Sequence, residues 1–314
     1  MTEVLVLRAL GLGDLLASVA ALRGLRRAWA GARVTLAAPA ALGGWLTEVG
    51  VVDDAVAVRD LHEGAVLPSR CGTPDVAVNL HGRGPQSHRL LARVPAGRMV
   101  GYACPAAGFH GGPAWDDADH EVDRWLRVSA WGGGAADPED LRLPAVGGRG
   151  DHVVVHPGAA SGSRRWPPER WAEVAAVLAA EGVRVVVTGT SAEARACAQV
   201  AAGRPGIEDH CGRHDLPGLA RLVGTAALLL SGDTGVAHVA TALATPTVTL
   251  FGPVSPRLWG PRIDRHLHQV LWPVSGSALR PGDPHASEPD ERLLAIGVHQ
   301  VLAAAREALH DHEN

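Results

Sequence analysis

Val4-Leu-Val-Leu-Arg-Ala-Leu-Gly-Leu-Gly-Asp-Leu-Leu16 places an apolar run, a glycine turn and the start of an amphipathic stretch in thirteen residues. Val4 to Leu7 has the unbroken apolar character of a strand buried on both faces. Gly11 and Gly13 allow a tight turn and close approach of backbone to a ligand. A helix over about residues 14–29 follows, with Leu15, Val19 and Leu22 on one face. Working outward, further strands are expected at Arg33–Ala38, Ala55–Val58 and Asp75–Leu80, and a helix at His120–Trp131. This alternation predicts a parallel sheet with helices on both faces. Residues of about 132–150 are rich in Gly, Pro and acidic residues, as in a linker. The rhythm then restarts with a strand at His152–Val155 and a helix opened by Pro167 or Pro168, with Trp171, Val174, Ala175 and Leu178 on its apolar face. Strands at Val183–Val187, Leu228–Leu230, Thr247–Phe251 and His268–Trp272 follow, with a helix from about Ser191 and a terminal helix over about 290–310. The expectation is therefore α/β, with two Rossmann-like domains: residues 1–147, and residues 148–314 with a terminal helix that could pack back on the first domain.

Composition narrows the chemistry. The formal net charge of −4 predicts no general attraction to nucleic acid or to an anionic membrane surface. All 29 basic residues are arginine, so mechanisms that need a lysine Schiff base are excluded. A phosphate clamp would have to be built from Arg, backbone N–H groups or a metal. Cys71, Cys104, Cys197 and Cys211 are dispersed without a C-x-x-C pair, which argues against a disulfide framework or a structural zinc and fits a reducing, cytoplasmic setting. The N-terminus has neither the basic segment of a signal peptide nor a span-length apolar run, so no stable membrane insertion is expected.

In a parallel α/β sheet, ligands bind beyond the carboxyl ends of the strands, so three strand-end loops are the candidate site. The first holds Gly13 and Asp14. A dinucleotide fingerprint would need glycine where Leu16 stands and an acidic residue where Pro39 follows the second strand, so a nicotinamide dehydrogenase is disfavoured. Asp14 reads either as a helix N-cap or as a carboxylate that takes a proton from an attacking hydroxyl. The second loop, His156 to Pro167, has small residues for close approach and adjacent Ser163, Arg164 and Arg165 able to meet a diphosphate. The third, Ser231 to His238, is a strand, a glycine turn and a helix start. N–H groups of Thr234, Gly235 and Val236 would face an anion, and Asp233 could accept from sugar hydroxyls. His238 lies inside that helix, as a ligand contact or as a core histidine. Asn79 and His81, on another strand-end loop, suit contact with the acceptor or sugar. The run Asp116, Asp117, Asp119, His120, Glu121 reads as a solvated helix start rather than a metal site, and the sixteen histidines form no ligand pattern.

Three motifs in this order resemble the heptosyltransferase family of glycosyltransferases (family 9): R-x-L-G-L-G-D-L-L at 8–16, H-P-G-A…S-R-R-W-P at 156–167, and S-G-D-T-G-V-A-H-V-A-x-A-L-x-T-P-x-V-x-L-F-G-P at 231–253. The resemblance implies a GT-B fold, with two Rossmann-like domains facing across an interdomain cleft, and inverting, metal-independent transfer without a cofactor. The sugar, a heptose, would pass from an ADP-sugar to an acceptor hydroxyl. It implies Asp14 as base, Thr234, Gly235 and Val236 as a diphosphate cradle, and Asp233 near the transferred sugar. Arg164 stands where many members have Lys before x-Trp-Pro, and the chain between residue 60 and the linker matches least well. The alternatives are a sugar-nucleotide epimerase on the same fold and a sugar-nucleotide-binding protein without catalysis. Acceptor identity and oligomeric state are left open by the sequence.

Overall fold

The computed structural model describes residues 2–59, 61, 66–68, 71–273 and 282–310. It divides into two compact units, residues 1–141 and 142–314. The division falls six residues before the expected one because residues 142–147 attach to the second unit. Leu143 N donates to Ala242 O (2.7 Å), Arg142 pairs with Asp264, and the Val146 side chain lies against Gly224.

In chain order, the first unit contains β1 (Glu3–Leu7), α1 (Leu12–Leu16), α2 (Val19–Ala28), β2 (Arg33–Ala38), α3 (Ala40–Glu48), β3 (Asp54–Ala57), β4 (Val76–Asn79), α4 (Gln86–Leu91), β5 (Arg98–Val100) and α5 (Glu121–Trp131). The described strands form one parallel sheet, order β3-β2-β1-β4-β5. Val4 to Leu7 is buried throughout, as the continuous apolar run requires in a sheet covered on both faces. The single helix expected over 14–29 is two. Ser18 turns its hydroxyl onto Leu15 O (2.7 Å), a local bond that competes with the helical ladder, and α2 starts again after it.

The second unit contains β6 (Val153–His156), α6 (Pro168–Ala180), β7 (Val185–Val187), α7 (Ala194–Ala201), β8 (Ile207–Asp209), α8 (Leu216–Gly224), β9 (Leu228–Gly232), α9 (Gly235–Ala242), β10 (Thr247–Leu250), α10 (Pro256–Trp259), β11 (His268–Leu271), α11 (Glu291–Leu294) and α12 (Val298–His310). Its sheet is also parallel, order β11-β10-β9-β6-β7-β8. The α6 residues Trp171, Val174, Ala175 and Leu178 are buried at helical spacing, with Pro168 in the first turn. Burial of each large side chain of this kind stabilises by roughly 1.5–3 kcal/mol, so Leu178→Ala would be felt at about 2–5 kcal/mol with its cavity. On α12, Val301, Leu302, Ala304, Ala305 and Ala308 belong to this unit's core.

Both sheets change strand order at one place, between β1 and β4 and between β6 and β9. This is the doubly wound arrangement, in which the loops leaving the two central strands diverge and open a crevice. The loops after β1 and β4 hold Arg8, Asp14 and His81. Those after β6 and β9 hold Ser163, Arg164 and Asp233 to Val236.

Candidate functional site

In the first unit, the site is built around a buried arginine. Arg8 follows β1 and is completely buried. Its Nη1 donates to Leu80 O (2.5 Å), and Nε and Nη2 donate to Asp14 O (3.0 and 2.5 Å). One guanidinium therefore ties together the two loops at the strand-order change. Nη2 also meets Glu121 Oε1 at 3.1 Å and lies 3.8 Å from Asp14 Oδ1, while the guanidinium carbon sits 4.3 Å over the Trp125 ring. Burial pushes the Arg8 pKa down, and the charges of Glu121 and Asp14 push it back up.

Asp14 is the third residue of α1. Gly11 is the N-cap and makes no side-chain cap bond, so the N-cap reading of Asp14 does not hold. Its side chain is about a third exposed (36%). His81 Nδ1 accepts from Ala9 N (3.2 Å), and the ring is held down to a pKa of about 4 by burial and then by the nearby Arg8 charge. It is a neutral group at ordinary pH. Asn79 is fully buried: Nδ2 donates to Ser87 Oγ (3.0 Å) and to His88 Nδ1 (2.9 Å), and Oδ1 accepts from His81 N (3.0 Å). It lies inside the protein and supports His81 from beneath.

The acidic run at 116–121 is not a simple solvated helix start. His120 caps α5, its Nδ1 accepting from Val122 N (3.2 Å), and Asp119 pairs with Arg127. Glu121 is buried against Arg8, accepts from Trp125 Nε1 (2.7 Å), and lies 3.2 Å from Arg124 Nε. The sequence does not single out Glu121 from the rest of the acidic run. The available signal is the pair of helix neighbours Arg124 and Trp125, three and four residues on.

In the second unit, Gly162–Arg164 forms one 3-10 turn, and Ser163 N donates to Ala286 O (2.9 Å). Arg164 Nη1 is 4.0 Å from Asp233 Oδ2, with the arginine side chain 24% exposed and the aspartate 8%. Arg165 is exposed and spends its Nε on Ala159 O (2.8 Å), so it braces the loop. Among the described residues, Ser163 Oγ, Arg164 Nε and Ser231 Oγ are buried polar atoms with no hydrogen-bond partner. Buried polar groups are nearly always satisfied, so three on neighbouring strand-end segments make this the candidate place for a polar ligand. Thr234 is the N-cap of α9 and makes no side-chain cap bond. The N–H groups of Thr234, Gly235 and Val236 make no backbone bond to a described residue outside the helix, and so remain available to an anion. Asp233 and His238 line a small pocket with Thr241, Thr249, Phe251 and Trp259, and the His238 ring meets Trp259 edge-on at 6.0 Å. His238 is thus at the site's wall rather than in the core. His156, at the end of β6, is buried with Nδ1 3.0 Å from Thr188 Oγ1, and burial lowers its pKa.

No group of three or more His, Cys, Asp or Glu among the described residues is arranged to hold a metal ion. No helix among them is long and apolar enough to cross a membrane.

Two parallel α/β units, each with candidate ligand-binding loops at its strand-order change, define a doubly wound protein, and its solved structural relatives have the GT-B fold. Residues 136–273 match Glycosyltransferase family 9 (heptosyltransferase), and the resemblance read from the motifs at 156–167 and 231–253 is borne out there. Lipopolysaccharide heptosyltransferase 1 of Escherichia coli K12 is 31% identical over 112 residues, which is 35% of each chain, so the match spans about a third of that relative's length. The solved structure of the E. coli ADP-heptose lipopolysaccharide heptosyltransferase II superposes over 100% of both chains with a TM-score of 0.78 at 21% identity. That of E. coli heptosyltransferase WaaC with ADP covers 98% of this chain and 100% of its own, with a TM-score of 0.72 at 19% identity. These superpositions show that both units share the heptosyltransferase fold.

Proposed function

We propose that the protein is an inverting, metal-independent glycosyltransferase that moves a sugar, a heptose from ADP-heptose, to an acceptor hydroxyl. The observation that carries this reading is the cluster of unsatisfied buried polar atoms, Ser163 Oγ, Arg164 Nε and Ser231 Oγ, beside the free N–H groups that open α9. An anionic, hydroxyl-rich ligand such as a nucleoside diphosphate sugar satisfies both sets. Arg164 and the N–H groups of Thr234, Gly235 and Val236 hold the diphosphate, with Gly13 and Gly235 leaving room for close approach. Asp233 and His238 meet the transferred sugar, and the acceptor docks near His81.

Asp14 takes the proton of the acceptor hydroxyl while that oxygen attacks the anomeric carbon opposite the leaving group. The carbon–oxygen bond to the diphosphate breaks through an oxocarbenium-like transition state. Negative charge growing on the departing diphosphate is stabilised by the Arg164 guanidinium and the α9 dipole, which are in place before the charge develops. A heptose donor is supported by the resemblance to family 9 and by the ADP named with one solved structural relative. We place the working domains at the two units of the fold.

The test is product analysis with ADP-heptose, with and without a heptose-deficient lipopolysaccharide core. Stoichiometric ADP and a glycosylated core are expected only when the acceptor is present. An isomerised donor in the absence of acceptor would replace this reading by the epimerase, and binding without turnover would leave a sugar-nucleotide-binding protein.

A further inference from the structure

The buried charges beneath Asp14 are more elaborate than a loop anchor needs. Backbone carbonyls of Asp14 and Leu80 hold Arg8, and a second carboxylate, Glu121, is brought to it from α5, 113 residues away. Burying a charge is costly unless it is paired, and a buried ion pair contributes little net stability compared with apolar packing. The pair therefore earns attention for what it does to its neighbour. Asp14 Oδ1 is 3.8 Å from the same Arg8 nitrogen that meets Glu121. The ionisable groups that act on Arg8 are Asp14 on α1, Glu121 and Arg124 on α5, and His81 after β4.

We infer that Arg8 and Glu121 are positioning residues for Asp14: Arg8 clamps the Asp14 and Leu80 carbonyls and so holds the carboxylate in place, while Glu121 offsets the arginine charge and so sets how basic that carboxylate is. The inference rests on Asp14 being the base. An unopposed arginine at this distance would favour the carboxylate so strongly that it would be a poor proton acceptor. Glu121 is held to its task by Trp125 Nε1 and by Arg124, whose own guanidinium lies 4.1 Å over Trp115 and whose carbonyl accepts from Tyr102 Oη (2.6 Å). The aromatic cluster keeps water from screening the pair.

The test reads Asp14 directly, in full-length protein with 13C-carboxyl-labelled aspartate, the resonance being assigned by its loss in Asp14→Asn. Glu121→Gln keeps the shape and the acceptor for Trp125 and removes only the charge. It is expected to move the Asp14 titration midpoint to lower pH and to lower kcat with ADP-heptose, with ADP affinity unchanged. Arg8→Gln removes the cation and moves the midpoint to higher pH. Arg8→Lys keeps the cation but loses the planar fork, and kcat falls roughly tenfold or more with the midpoint near wild type. A residue that only stabilised the fold would not move the midpoint in opposite directions. An Asp14 midpoint that is the same in wild type and Glu121→Gln overturns the role of Glu121, and wild-type kcat in Arg8→Lys overturns the clamp. Wild-type turnover in Asp14→Asn is a different failure: it removes Asp14 as base and this inference with it, whatever the titrations show.

Discussion

Replacing Arg164 by alanine tests the donor site at its charged centre. The Arg164 and Asp233 side chains are 4.0 Å apart and mostly shielded from solvent. At that separation, an effective dielectric of about 20 gives a Coulomb attraction of about 4 kcal/mol. The arginine is a quarter exposed, so screening reduces this to the ~1.5–3 kcal/mol typical of a hydrogen bond to a charged group. A diphosphate placed there exchanges one anion for another at the guanidinium and additionally satisfies the orphan Nε. Arg164→Ala removes both effects and leaves the Asp233 carboxylate beside the incoming anion without its counter-charge. The expected weakening of ADP binding is therefore about 2–3 kcal/mol, or roughly 30- to 150-fold in Kd. Arg164→Lys should fall between, since it keeps the charge but loses the bidentate fork. Isothermal titration calorimetry with ADP at two salt concentrations reads this, and the wild-type loss of affinity on adding salt should shrink in Arg164→Ala. A Kd within twofold of wild type, in a variant with an unchanged melting profile, would show that Arg164 does not hold the diphosphate.

Other expectations follow from single features. Asp14→Asn should lower kcat by at least ~100-fold, the low end for loss of a general base, with ADP affinity kept; steady-state kinetics beside calorimetry check both halves. A Cβ on Gly162 would stand 1.6 Å from Ser287 O, a backbone atom, so Gly162→Ala must displace the segment that receives Ser163 N. A loss of about 1–3 kcal/mol is expected, together with weaker ADP binding, and a wild-type thermal melt would refute it. His268 is buried beside Thr247, and burial lowers its pKa from 6.5 to about 4. The unfolded chain therefore takes up a proton at this position first, and stability present above pH 6.5 is lost as pH falls from about 6.5 to about 4. His268→Gln should make the fall in melting temperature across that window shallower, and an unchanged slope would count against it.

The fold was legible wherever burial on both faces imposed a long apolar run. Val4–Leu7, Val153–Val155 and Leu228–Leu230 could be read as strands because nothing else in so short a stretch accounts for them. The edge strands β5 and β8 were not, because each is three residues long and only partly buried, so Arg98-Met-Val and Ile207-Glu-Asp carry no alternation to detect. Helices α3, α4 and α8 escaped for a related reason. Glycines in Ala40–Glu48 and Leu216–Gly224, and a single short turn and a half in Gln86–Leu91, blur the helical period. The break between α1 and α2 depends on one hydroxyl, Ser18, choosing a backbone partner, and periodicity is blind to that choice.

At the site, local chemistry was readable and convergence was not. Asp14, Ser163, Arg164 and Asp233 to Val236 each lie just after a central strand, where a parallel α/β sheet presents ligand-binding groups, so position in the rhythm is enough to single them out as candidates. Arg165 was grouped with Arg164 because adjacent charges look alike in sequence, yet the turn of the 3-10 segment sends the two in different directions, and only Arg164 lies beside Asp233. Glu121 is the stronger case. Its neighbours in sequence, Asp116, Asp117 and Asp119, give it the character of a solvated acidic run, but its partner Arg8 lies 113 residues earlier. A buried charge declares itself through its counter-ion, and when that counter-ion is distant in the chain only the folded structure brings the two together. The same reasoning explains why the unsatisfied atoms Ser163 Oγ, Arg164 Nε and Ser231 Oγ carry functional weight. In the first unit the buried Arg8 has Glu121, Asp14 and the Leu80 carbonyl as partners, whereas in the second Ser163 Oγ, Arg164 Nε and Ser231 Oγ have none among the described residues. Three such atoms gathered at one strand-order change are what a bound diphosphate sugar would complete, and that is the reason ADP affinity in Arg164→Ala tests the proposed donor site directly.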